Sequence, residues 1–110
     1  MNTANFYWEE AWFFYGQFLL SQNRDEEARR AFGKSEALYP NSFYAPYGRA
    51  LLAAKQDRKT DALDALEKAL DNFWPEPVSI LGEPLLAGIR KTRRFQELMA
   101  KHFPPGWEKR

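Results

Sequence analysis

The sequence predicts an all-α fold built from antiparallel helix-turn-helix repeats. Three observations carry that prediction. Segments of about a dozen residues, rich in Ala, Leu, Glu, Lys, Arg and Gln, run between short clusters of Pro, Asn and Gly. No segment alternates apolar and polar residues as a half-buried strand would. Small and apolar residues also recur at a fixed offset of 34 positions.

Six helices are expected, near 6–22, 25–38, 43–55, 58–73, 78–90 and 92–103. The first ends at Asn23-Arg24. Asn23 stands three residues before Glu26, a capping-box-like pair that would start the second helix. Pro40 ends that helix, because a proline donates no hydrogen bond and disfavours helical backbone at Tyr39. Ser42, Asp57 and Thr92 are placed to cap the third, fourth and sixth helices. The fifth must be short or kinked, since Glu83-Pro84 falls inside it.

The 34-residue offset aligns Gly16 with Ala50, Leu19 with Ala53, Ala28 with Ala62, Phe32 with Leu66 and Ser35 with Ala69. Antiparallel helices approach closely only where side chains are small, and each gap needs a large apolar neighbour to fill it. Gly16 and Ala28 supply the gap of the first pair and Phe32 the filler; Ala50, Ala62, Ala69 and Leu66 serve the second.

These residues resemble the tetratricopeptide repeat (TPR) family. Trp12, Tyr15-Gly16, Leu19, Ala28, Phe32 and Pro40 follow its W-x₂-L-G-x₂-Y…A-x₃-F…P order, with Tyr15 and Leu19 exchanged in size. The second unit keeps Ala50, Ala62, Leu66 and Ala69, but has Pro46 where the Trp belongs and Trp74 where the Pro belongs. The resemblance implies one domain over 1–110, with repeat one at 9–42, repeat two at 43–76, an irregular capping segment at 77–103 and a tail at 104–110. The run from Glu83-Pro84-Leu85-Leu86 to Arg94-Phe95 looks like a closing segment of bacterial TPR-bearing chains, including secreted hydrolases. An accessory C-terminal domain of a larger protein is therefore one implied role. The compartment implied is the cytoplasm for this chain alone, or the periplasm if it belongs to such a protein. Some TPR domains clamp a peptide carboxylate with Lys, Asn and Arg; Phe13, Gln17, Gly48 and Gly82 stand at those places here, so that activity does not carry over.

A protein or peptide partner is what the family implies, held in a concave groove. The candidate groove residues are Glu10, Phe13, Gln17, Tyr44, Tyr47 and Leu51. On a helical wheel Trp8, Trp12, Tyr15, Gly16 and Leu19 would face the second helix, and Phe6, Phe13 and Leu20 the third. Tyr7, Phe14 and Phe18 then form a further stripe, so the first helix is apolar on most of its circumference. Eight of the 18 aromatic residues lie between Phe6 and Phe18. A terminal helix normally shows a polar outer face. The stripe calls for a cover: a protein partner, a second copy of the chain in a homodimer, or the chain's own tail with Trp107.

Other chemistry finds little support. With no cysteine and only His102, disulfides, thiolate sites and histidine clusters are excluded. Ser21, Ser35, Ser42 and Ser79 have no other histidine to serve as base, and Asp61/Asp64 and Glu9/Glu10 read as solvated helix charges. No catalytic residue, metal site or cofactor is expected. No apolar run approaches the ~20 residues of a membrane span, and Met1–Phe6 lacks a signal-peptide layout. Residues 89–110 carry a charge of +5 against −4 for the rest. Phe95, Leu98, Met99 and Phe103 would point inward from that segment, so its cations read as a solvated face rather than a nucleic-acid surface.

Overall fold

The computed structural model describes the backbone of residues 3–74 and 76–107, with side chains from Glu10 onward. Its helices are α1 (Thr3–Ser21), α2 (Asp25–Leu38), α3 (Tyr44–Lys55), α4 (Lys59–Asp71), α5 (Val78–Leu81), α6 (Ala87–Arg90) and α7 (Arg93–His102), with a 3₁₀ turn at Pro84–Leu86. No strand occurs among the described residues. The fold is all-α, as expected. The expected fifth helix is broken into α5, the 3₁₀ turn and α6, and Glu83 accepts a hydrogen bond from the Leu85 N–H at the break.

The turns inside the two hairpins share one design, which corrects the capping expectation. Asn23 and Asp57 do not start helices; they end them, with φ of 60° and 59°. The Arg24 N–H reaches back to the Leu19 carbonyl at 2.9 Å, and the Asn23 N–H to Leu20 at 3.1 Å. Arg58 and Asp57 repeat both bonds 34 residues later, to Ala53 at 2.9 Å and Ala54 at 3.1 Å. This is the Schellman arrangement, which satisfies the last carbonyls of a helix by placing one residue in the left-handed region, where Asn and Asp are tolerated. Thr92 does cap α7, accepting from the Phe95 N–H at 3.2 Å.

The molecule is a slab 36 × 35 × 19 Å, about two helices thick. α1, α3 and the 3₁₀ turn form one layer; α2, α4 and α7 form the other. Close approach comes from Ala28, Ala31, Ala50, Ala53, Ala62 and Ala69, all buried, with Phe32, Leu66, Leu51 and Ile80 filling between them. Phe32 fills the gap at Gly16 as expected, and also abuts Gly48 of α3. Ion pairs Arg49–Glu36 and Lys55–Asp25 join α3 to α2. Ile89, Phe95 and Leu98 are buried, closing the C-terminal end of the core.

Candidate functional site

The aromatic residues gather on one face of α3. Residues 44, 47 and 51 lie on the opposite side of this helix from 46, 49 and 53. The Phe13 ring lies 5.1 Å from Tyr44 and 5.8 Å from Tyr47. Trp74, brought back by the turn after α4, lies 4.3 Å from Tyr47 and 4.7 Å from Phe43. The Tyr44 hydroxyl donates to the Glu10 carboxylate at 2.8 Å, tying α1 to α3. The Tyr47 hydroxyl and the Trp74 indole N–H are buried with no hydrogen-bond partner. Burial pushes the Tyr47 phenol above its usual range, and the negative charges of Glu83 and Glu76 add to the shift.

This geometry redraws the expected groove. Phe13, Tyr47 and Leu51 are buried core residues, not an accessible lining. The reason is that the C-terminal half returns over α3: Trp74 covers its aromatic residues, and the 3₁₀ turn packs alongside. Glu10, Gln17 and Tyr44 remain half-buried at the edge. Leu20 is buried too, and Tyr15 is 48% exposed rather than packed under α2.

What stays open is a cleft of about 440 Å³ between α1 and the returning turn, lined by Phe14, Gln17, Phe18, Leu20, Ser21, Glu83 and Leu85. Phe14 and Phe18 are 55% and 54% exposed on successive turns of α1. Tyr7, the third member of the expected stripe, has its side chain outside the described residues. So do Phe6 and Trp8. Trp107 packs against Phe103, with ring centroids 5.5 Å apart, and lines a separate cleft with Phe73 and Trp74.

Two further clefts lie on the α2/α4 side. The first, about 200 Å³, is lined by α1 and α2 and holds Trp12, Leu19, Ala31 and Lys34 among others. Every residue lining it has a counterpart 34 positions later in the lining of the second, about 520 Å³, formed by α2, α3 and α4. Pro46 takes the place of Trp12, Ala53 of Leu19, Ala65 of Ala31 and Lys68 of Lys34. The sequence signal for this cavity is the loss of a large side chain from a repeated position, where Pro46 stands for Trp12.

Of the expected solvated charges, Asp61 pairs with Arg58 and Asp64 with Arg94, Glu10 accepts from Tyr44, and the Glu9 side chain lies outside the described residues. Among the described residues no helix is long and apolar enough to cross a membrane. Comparison of the chain with protein families, with curated proteins and with solved structures finds no match in any of the three.

Proposed function

We propose that this chain is a non-catalytic, TPR-like interaction module that binds a protein or peptide through the α1 face and the cleft beside it. The observation that carries this reading is the pair Phe14 and Phe18, more than half exposed on adjacent turns at the mouth of a cleft. Covering a large apolar side chain recovers about 1.5–3 kcal/mol, and aromatic residues bury much area while freezing few torsions. Gln17 and Ser21 at the cleft wall, with Glu83 opposite, offer polar anchors for a bound backbone. The half-buried Glu10–Tyr44 pair borders the same layer. An amphipathic helix or an extended segment suits such a surface.

A homodimer is the second reading, favoured by one feature of α1. From Ala11 to Asn23 the chain carries no charged residue, so two copies of this face could meet without burying a charge.

Affinity capture with the wild type, Phe14→Glu and Tyr44→Ala tests the assignment. Loss of partner with Phe14→Glu and retention with Tyr44→Ala is expected. Unchanged capture by Phe14→Glu refutes the α1 face. Sedimentation at micromolar concentration separates the readings: a Phe14-dependent dimer favours self-association, and a strict monomer eliminates it.

A further inference from the structure

We infer that the cleft between α2 and α4 is a docking site for a protein segment that presents an aromatic side chain flanked by carboxylates. The molecule carries the template for this occupant. In the first repeat the Trp12 indole helps line the cleft beside Leu19 and Ala31, with the Lys34 ammonium 5.8 Å from its ring centre. That distance is within the range at which a cation is attracted to an aromatic face. In the second repeat Ala53, Ala65 and Lys68 stand at the counterpart positions, but Pro46 replaces the indole. The open volume is larger, about 520 Å³ against about 200 Å³, and Arg29, Gly33, Leu52 and Arg58 extend its wall beyond the counterpart positions. A partner's Trp or Phe would complete the second cleft as Trp12 completes the first, with Lys68 over its face.

Charge selects what flanks that ring. Arg30 and Lys68 both line the cleft, and neither has an ion-pair partner among the described residues. Arg29, Arg49 and Arg58 line it as well, each already paired, with Glu26, Glu36 and Asp61. Carboxylates on either side of the inserted ring would meet the two uncommitted cations. A nucleic-acid strand fits less well, because no aromatic residue lines this cleft to stack on bases. Pro46 stays within the helix because it occupies the first turn of α3, where the missing N–H has no helical partner to lose. The site lies on the opposite face of α3 from the aromatic layer and stands independently of the α1 reading.

The test is isothermal titration of the full chain with a blocked synthetic peptide holding one tryptophan between glutamates. Saturable one-to-one binding is expected. Affinity should fall by about tenfold or more when the peptide's tryptophan becomes alanine, when its glutamates become lysines, or in Lys68→Glu. Two variants fill the cleft. Pro46→Trp restores the first-repeat arrangement. Gly33→Leu enters open space, since a β-carbon at Gly33 meets no atom within 4 Å. Both should abolish binding with helicity and melting temperature preserved; if Pro46→Trp misfolds, Gly33→Leu decides. The inference is overturned if the wild type does not bind the peptide at millimolar concentration, if Gly33→Leu binds as the wild type does, or if the alanine peptide binds equally. Equal affinity for a single-stranded oligonucleotide of the same charge would also overturn it, in favour of a polyanion site.

Discussion

Gly16 of α1 and Gly48 of α3 meet the ring of Phe32 on α2, so that one aromatic side chain joins three successive helices. A β-carbon at either glycine would fall closer than 3.0 Å to three atoms of the ring. Phe32 itself is fully buried. Gly16→Ala and Gly48→Ala should each destabilise the fold by about 1–3 kcal/mol, the range for overpacking, despite the gain of about 1 kcal/mol in helix propensity. Gly33→Ala on α2, which meets nothing, should instead stabilise by about 0.5–1 kcal/mol. Urea midpoints for the three variants check the contrast; destabilisation by Gly33→Ala, or neutrality of the other two, would contradict it.

Ser35 is fully buried and its hydroxyl has no partner. Its counterpart 34 residues on is Ala69, also fully buried. Ser35→Ala should therefore raise stability by about 1 kcal/mol, removing an unpaired polar group and improving helix propensity together. A fall in melting temperature would mean the hydroxyl is satisfied in solution.

Tyr47 links stability to alkaline pH. Its buried phenol holds its proton to higher pH than an unfolded tyrosine, whose pKa is about 10. Above that value the unfolded chain releases the proton while the folded chain keeps it, so stability falls as pH rises. Tyr47→Phe should lessen the slope above pH ~10 and should not destabilise at neutral pH, since the lost hydroxyl has no partner. Thermal melts of both proteins across that range measure the difference, because the other tyrosines and the lysines are common to the two.

Phe73 has a φ of 67° and is 87% exposed. A bulky residue in the left-handed region is strained by about 1 kcal/mol or more, and here little burial offsets it. Phe73→Asn should stabilise the protein by about 1 kcal/mol. If it destabilises, the Phe73 ring contributes packing in the cleft it lines with Trp107.

The helices were legible because helix formers and prolines act locally. Pro40 and Glu83-Pro84 break or bend the chain wherever they stand, and the need for a large filler beside a small residue matched Phe32 to Gly16. The turn residues misled because Asn and Asp serve equally at a helix start and in a left-handed helix end; only backbone hydrogen bonds distinguish the two, and Asn23 and Asp57 make the second kind. The groove residues misled for a different reason. A helical wheel reports direction, and Phe13, Tyr47 and Leu51 do point toward one layer. Whether that layer is open depends on Trp74 and the Pro84–Leu86 turn, some thirty residues away from α3 in sequence, and no local pattern contains this. Gly48 was missed similarly: its offset from Gly16 is not that of the repeat.

Most packing in this chain joins helices that are neighbours in sequence, a topology that folds quickly because little loop entropy is lost before contacts form. The return of the Pro84–Leu86 turn to α3 is one of the longer-range contacts, with α1–α3, α4–α6 and α4–α7. The cleft that holds Phe14 and Phe18 takes its opposite wall, Glu83 and Leu85, from that return. It is thus assembled from two distant parts of the chain. Opening of that junction would dismantle the surface while the two hairpins stayed folded, so amide hydrogen exchange at the 3₁₀ turn should report the population of the open state.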